Sequence, residues 1–102
     1  MMCAVGSREE AARIASALVE ERLAACVQLL PIESWYHWDG AVQHAPELML
    51  LIKTAEAAVP GVEARLRALH SYDVPEIVTL PVTHALPAYA AWVDGAVTPG
   101  PA

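Results

Sequence analysis

The sequence predicts one α+β domain with a ferredoxin-like fold, a sandwich built from two split β-α-β units. Strand-forming segments alternate with segments of helical periodicity, in the order strand, helix, strand, strand, helix, strand and short final helix. Asp39-Gly40 lies between the two central strand segments and is the signal for a tight β-hairpin. The 102 residues contain no linker, repeat or low-complexity stretch, so we assign residues 1–97 to a single domain.

The first strand and helix are predicted by a short apolar run and a capping signal. Residues 1–5 are apolar and strand-like. Ser7 and Glu10 then have the spacing of a capping box, in which each side chain bonds the backbone N–H of the other residue. Apolar residues behind them recur at helical spacing and predict a helix of about 17 residues that ends near Leu23. These apolar positions are Ala11, Ile14, Ala15, Leu18 and Leu23.

The two central segments, residues 25–39 and 41–54, are rich in strand-forming side chains and predict long strands on either side of the turn. Each contains a proline, Pro31 in the first and Pro46 in the second. Because proline lacks the N–H that a sheet ladder uses, we expect an edge position or a bulge at Pro31 and a bulge or bend at Pro46.

The second half of the chain repeats the pattern. Residues 55–70 return to helical spacing and predict the second helix, and residues 71–75 predict a loop. Residues 76–83 are rich in β-branched side chains and predict the last strand, and residues 86–93 predict a short helix. We expect the terminal residues 98–102 to form a disordered tail.

Charge and segment lengths exclude several classes of function. The chain has 6 Lys and Arg against 12 Asp and Glu, a net charge of −6, which argues against nucleic acid because phosphate contacts need a basic face. No purely apolar run approaches the ~20 residues of a membrane helix. The chain opens without the leader of a signal peptide, so we expect it to reside in the cytoplasm. Cys3 and Cys26 form no C-x-x-C pair, and we expect no disulfide there.

The apolar content predicts self-association. Apolar residues make up 56% of the chain and charged residues only 18%. A domain this small leaves a large part of its surface in solvent, so some of that surface must be apolar. Exposed apolar patches usually mark partner interfaces, which favours a homo-oligomer. The alternative is an alanine-rich composition without such an interface.

Cys3 and His70 are the candidate metal ligands. Thiolate and imidazole suit copper or zinc, but two ligands leave the coordination incomplete, so protein, water or a neighbouring subunit must supply a third. The alternatives are a buried inert thiol at Cys3 and a helix-capping imidazole at His70. His37 and His44 flank the hairpin turn asymmetrically, which favours two surface histidines over a metal pair. Phosphate-loop, zinc-protease and serine-hydrolase motifs are absent from the sequence.

Polar residues inside apolar runs are candidates for a ligand-binding cleft. Lys53 follows five consecutive apolar residues, and Glu76 opens the last predicted strand shortly after Tyr72. A buried Lys or Glu needs a partner, so we expect a Lys53–Glu76 pair that lines a cleft beside Tyr72. The alternative is that both residues are exposed at strand ends.

Several of these segments resemble the CutA divalent-cation tolerance proteins, and the likeness runs in order over roughly residues 3–94. They are LVEERLAACV at 18–27, SWYHWDG at 34–40, LIKT at 51–54, LHSYDVPEI at 69–77 and LPVT at 80–83, followed by Tyr89 and Trp92. The resemblance implies a trimer of ferredoxin-like subunits whose bent hairpin strands pair across subunit boundaries. Its architecture resembles that of the trimeric nitrogen-regulatory signalling proteins, which bind effectors between subunits.

The resemblance also implies divalent-cation tolerance, with copper or another divalent cation as the ligand and no established enzymatic reaction. The suggested copper ligands of the family fall here on Cys3 and His70, while Leu69 stands where the family has a further histidine.

Three hypotheses follow from the sequence. The first is a cytoplasmic, non-enzymatic homotrimer that responds to metal ions. The second is a signalling module with a small-molecule site between subunits, for which Lys53, Tyr72, Glu76 and Trp38 are the candidate residues. The third is a scaffolding trimer.

Overall fold

The computed structural model of the chain describes residues 1–98. It contains a four-stranded sheet in the order β2-β3-β1-β4, with every neighbouring pair antiparallel. In chain order the elements are β1 (Met2–Val5), α1 (Arg8–Glu20), β2 (Cys26–Trp38), β3 (Ala41–Lys53), a 3₁₀ turn (Glu56–Ala58), α2 (Val59–Leu69), β4 (Ile77–Val78) and α3 (Pro87–Ala96). The predicted α+β class and order of elements are confirmed.

The core lies between one face of the sheet and the first two helices. Strand side chains alternate between faces, so every second residue of β1 and β3 points to the helices. These strand residues pack with buried side chains of α1 and α2. The main members are Cys3, Val5, Leu48, Leu50, Ile52, Ile14, Leu18, Val62 and Leu66.

The opposite face of the sheet, here called the open face, carries the intervening side chains. They are apolar but only half-buried or exposed. The open face comprises Met2, Leu30, Met49, Leu51 and Val78. Leu30 pairs with Met49 and has 51% of its surface exposed. Leu50, the next residue of β3 after Met49, points to the other face and has no exposed surface. Alternation along the strands therefore creates one sealed face and one incomplete face.

Helix α1 begins as predicted but ends earlier. The Ser7 hydroxyl accepts a hydrogen bond from the backbone N–H of Glu10 at 3.1 Å, whereas the Glu10 carboxylate bonds Ser71 rather than returning to Ser7. The capping box is therefore only half formed. Arg22 adopts a left-handed conformation, with φ of 59°, and turns the chain after Glu20. The predicted helix of about 17 residues is in fact 13 residues long.

The hairpin has a continuous register from Cys26↔Lys53 to Trp38↔Ala41. Asp39 and Gly40 have φ of 52° and 77°, as a two-residue turn of type I′ requires, so the predicted hairpin is confirmed. Of the two alternatives predicted at Pro31, the edge position is confirmed, and the continuous register shows no bulge at either proline. Pro31 lies on the edge strand β2, and Pro46 lies beyond Val5↔Leu48, where β3 has lost β1 as a neighbour. At both places a missing N–H leaves the ladder intact.

Residues 33–46 of this hairpin, here called the arm, extend past the end of β1. The molecule is 44 Å along its longest axis and 21 Å along its shortest. The large apolar side chains exposed on the arm are Trp35, Tyr36, Trp38 and Val42.

The last strand is shorter than predicted. β4 contains only Ile77 and Val78, whereas residues 76–83 were expected to pair. Because β4 is antiparallel to β1 and Val78 pairs with Met2, the chain runs past the start of β1 after this point. Leu80 and Val82 remain exposed, the latter by 78%.

The final helix, α3, runs to Ala96, three residues beyond its predicted end at Val93. Val93 and Val97 pack on Ala58, and the backbone N–H of Thr98 donates to the Arg22 carbonyl at 2.8 Å. Residues 99–102 of the predicted tail lie outside the described residues. Within residues 1–98 no helix is both long and apolar enough to cross a membrane.

Candidate functional site

The structure brings Cys3 and His70 into the same part of the core. Cys3 lies in β1, between Leu50 of β3 and Ile77 of β4, and its side chain is fully buried. His70 caps the C-terminus of α2, and its imidazole is also fully buried. The ring Nε2 lies 2.8 Å from the carbonyl oxygen of Ala4, the residue after Cys3.

Both ring nitrogens of His70 have hydrogen-bond partners. Nδ1 accepts a hydrogen bond from the backbone N–H of Tyr72 at 3.0 Å. An imidazole nitrogen that accepts carries no proton, so Nε2 carries the proton and donates it to the Ala4 carbonyl. His70 therefore joins β1 to the loop that follows α2.

Glu10 on α1 also contacts the loop that follows α2. The sequence predicted only a helix-capping role for this residue. Its nearly buried carboxylate accepts hydrogen bonds from the backbone N–H and the hydroxyl of Ser71, both at 2.8 Å. Oε2 also lies 3.6 Å from Nδ1 of His70. Burial alone would raise the pKa of Glu10, but the bonds from Ser71, with His70 and Arg13 nearby, hold that pKa below its ordinary value.

The Cys3 thiol is buried in the same part of the core. Burial raises the pKa of the thiol to about 12, and the negative charges of Glu76 and Glu10 contribute to the increase. The thiolate is the form that binds metals, so at neutral pH this thiol is held in the form that binds them poorly.

Tyr72 has a partner that the sequence did not predict. Its hydroxyl donates to Oε2 of Glu47 on β3 at 2.9 Å. Burial, followed by the hydrogen bond and charge of Glu47, raises the pKa of Tyr72 to about 12. A β-carbon at Gly6 would lie 2.8 Å from the Tyr72 hydroxyl oxygen, so the absence of a side chain there makes room for the phenol.

Lys53 and Glu76 do not form the expected pair. The Lys53 ammonium donates to Oε1 of Gln28 at 2.8 Å, and no ion pair joins it to Glu76 in the part of the chain that the structure describes. Lys53 ends β3, about 20 Å along the strand from Glu47, the residue that holds Tyr72. Glu76 instead precedes β4 and lies near Cys3.

The four predicted cleft residues, Lys53, Tyr72, Glu76 and Trp38, are therefore spread along the subunit. Trp38 ends β2 beside the hairpin turn and is 55% exposed. A shallow groove of about 480 Å³ lies between α2 and the following loop, and Tyr72 lines it without the other three. A single subunit does not gather these four side chains into one cleft.

The hairpin histidines are surface residues, as the sequence favoured. His44 stacks on Trp35 with ring centroids 4.0 Å apart and lies 3.5 Å from the Glu33 carboxylate. His37 pairs with Val42 nearer the turn. In residues 1–98 no three side chains of His, Cys, Asp or Glu are grouped so that they could hold a metal ion.

The model of the family described as CutA1 divalent ion tolerance protein matches residues 1–96. The chain belongs to this CutA1 family. The resemblance seen in the sequence is thereby confirmed, and divalent-cation tolerance is the function for which the family is named.

Individual CutA proteins agree with this assignment. The chain is 48% identical over 94 residues to the divalent-cation tolerance protein CutA of Thermus thermophilus, covering 91% of each chain. A solved structure of a divalent cation tolerance protein from Thermus thermophilus superposes with a TM-score of 0.91 at 46% identity over 95% of both chains. The apo structure of a PII-like protein CutA from Nostoc sp. PCC 7120 gives a TM-score of 0.91 at 33% identity, covering 96% of this chain and 95% of the other.

The CutA1 family implies a divalent cation, and the donor atoms at Cys3 and His70 can be tested for their fit to one. Both His70 nitrogens are in hydrogen bonds, and the Cys3 thiol is buried with a raised pKa. Both oxygens of the nearest carboxylate, Glu10, accept from Ser71. In this geometry the donor set does not fit a metal ion.

Proposed function

We propose that this CutA1-family chain serves divalent-cation tolerance as a non-enzymatic homotrimer in the cytoplasm. The observation that supports the assembly is the incomplete apolar surface of the single subunit. The open face, the arm and the segment after β4 all expose large apolar side chains. Surfaces of this kind are typical of interfaces between subunits.

Strand edges support the same proposal. β2 lies at one edge of the sheet and runs for 13 residues, so a long row of its backbone groups faces away from β3. A long exposed edge pairs readily with another strand. The arm and residues 79–86 of neighbouring copies are the segments that would supply and receive such strands.

Light scattering tests the trimer directly. We expect a mass of about 33 kDa at micromolar concentration, three times the 10.9 kDa of one chain. Leu30→Glu on the open face should shift the mass toward the monomer. Val19→Glu should leave the mass unchanged, because Val19 is similarly exposed, at 42%, but lies on α1. A wild-type protein with the mass of one chain would contradict the trimer.

Growth measurements test the cellular role. A strain that lacks this chain should grow more slowly at elevated Cu²⁺, Zn²⁺ or Ni²⁺, and the wild-type chain should restore growth. The Val19→Glu chain should restore growth equally well, and the Leu30→Glu chain should not. Unchanged growth of the deletion strain at every ion concentration would contradict a role in tolerance. Fractionation of the same cells would test the cytoplasmic location.

A second candidate function is ligand binding between subunits. Lys53, Tyr72, Glu76 and Trp38 are too far apart to form a cleft in one chain, so a shared site needs residues of neighbouring copies. The similar Nostoc protein is described as PII-like, a resemblance that favours this alternative. A thermal-shift screen with nucleotides and organic acids should then raise the melting temperature of the wild type but not of Lys53→Met. Shifts with metal ions alone would argue against this function.

A further inference from the structure

We propose that Cys3, Glu10, His70, Ser71 and Tyr72, here called the His70 cluster, form a closed structural clasp and that divalent cations do not bind there in the folded protein. His70 is then a positioning residue that holds the Tyr72 loop. This inference goes beyond the proposed function, because tolerance can operate through ions bound elsewhere on the assembly.

Both nitrogens of the His70 imidazole are already engaged in hydrogen bonds. A metal ion binds a ring nitrogen through its lone pair, and the lone pair on Nδ1 of His70 is directed at the Tyr72 N–H. Nε2 carries the proton that the Ala4 carbonyl accepts. Binding through either nitrogen would leave a backbone N–H or carbonyl without its partner inside the protein, and such a group is costly to bury.

The two other possible donors, Glu10 and Cys3, are also poorly placed to bind a metal ion, the first because of its hydrogen bonds and the second because of its burial. The Glu10 carboxylate accepts two hydrogen bonds from Ser71 at 2.8 Å. The Cys3 side chain has no solvent exposure and packs in the core cluster, and its strand β1 is flanked by β3 and β4. Metal binding there would have to place an ion and a thiolate among the buried apolar side chains of the core, where charge is costly.

The His70 cluster fixes the loop after α2 through hydrogen bonds alone. Residues 70–72 are bonded to three separate elements: His70 to β1, Ser71 to α1 and the Tyr72 hydroxyl to Glu47 on β3. The loop between α2 and β4 is therefore fixed at successive residues. A small domain gains from such cross-links because the loop contributes little apolar surface to the core.

Metal titration of the full chain tests the proposal. Calorimetry with Cu²⁺ and with Zn²⁺ should give the same affinity, within about twofold, for the wild type, Cys3→Ala and His70→Gln. Gln keeps an N–H near the position of Nε2 but removes the Nδ1 acceptor, so His70→Gln should lower the melting temperature without changing metal affinity. Binding that is equally weak or undetectable in all three proteins also supports the proposal. A loss of tenfold or more in either variant would overturn it.

NMR of the wild type provides a test that does not depend on the folding of a variant. The ¹⁵N shifts of the His70 ring should show a protonated Nε2 and an unprotonated Nδ1. Addition of Zn²⁺ should leave both shifts unchanged. Movement of the His70 signals with Zn²⁺ would overturn the proposal, while leaving the trimer and its cellular role to be judged by their own experiments.

Discussion

The His70 cluster and the arm differ in how far contacts within one chain cover their side chains. In the His70 cluster the side chains of Glu10, His70 and Tyr72 all have hydrogen-bond partners within the same chain, and no buried side-chain nitrogen or oxygen of residues 1–98 lacks a hydrogen bond. On the arm, Trp35 and Val42 remain 64% and 65% exposed, even though the His44 ring stacks on Trp35. A single chain therefore pairs its buried polar groups by itself but leaves part of its apolar surface uncovered.

The largest expected effect compares the two faces of the sheet. Leu50→Ala removes a fully buried side chain and should cost about 2–5 kcal/mol of unfolding free energy. Leu30 is on the neighbouring strand and faces the open side of the sheet. Leu30→Ala should therefore lower the unfolding free energy of an isolated subunit clearly less than Leu50→Ala does. We expect urea denaturation over a range of protein concentrations to show the cost of Leu30→Ala rising as copies associate. Equal costs at every concentration would contradict the distinction between a sealed and an incomplete face.

A smaller effect tests the tight fit around Tyr72. Gly6→Ala places a methyl group 2.8 Å from the Tyr72 hydroxyl oxygen, which should cost about 1–3 kcal/mol by overpacking. The same substitution in a Tyr72→Phe background should cost less, because the clashing oxygen is gone. Thermal unfolding of the four proteins measures this coupling. If Gly6→Ala were equally harmful in both backgrounds, the phenol would not be the cause.

The smallest effect is the pH dependence of the His70 cluster. The folded pKa of Glu10 is below its ordinary value, so its charged form stabilises the fold. That contribution is complete above the unfolded pKa of about 4.3 and is lost as the pH falls through the lower folded pKa. The stability difference between wild type and Glu10→Gln, measured in urea from pH 7 to pH 3, should therefore shrink at the acid end. Glu33→Gln, on the exposed arm, is the matched control, and the same shrinkage there would remove the special role of Glu10.

Much of the fold could be predicted because the relevant signals are local. The Asp39-Gly40 turn depends on the φ angles of two adjacent residues, and the start of α1 depends on Ser7 and a backbone N–H three positions later. Helical spacing located α1 and α2 for the same reason. At Pro31 the sequence left an edge position and a bulge open, because the need for a bulge depends on whether a neighbouring strand is present.

At the candidate site, too, local signals could be read from the sequence and contacts between distant residues could not. Cys3, His70 and Tyr72 could be selected from the sequence by residue type and by family resemblance. Their roles could not, because the partners that decide them are distant in the chain: Ala4 lies 66 residues before His70, and Glu10 lies 61 before Ser71. Glu47 carried no signal in the sequence that would have paired it with Tyr72.

The sequence by itself therefore determined the order of the elements, the hairpin turn, the family and the excess of apolar surface, since each follows from composition or from residues a few positions apart. Only the tertiary structure decided that the His70 imidazole has no free lone pair, that β4 ends at Val78 and that Lys53 bonds Gln28 instead of Glu76. The physical reason is that hydrogen bonds are short and directional. Which donor meets which acceptor is settled only when strands and helices from distant parts of the chain come together.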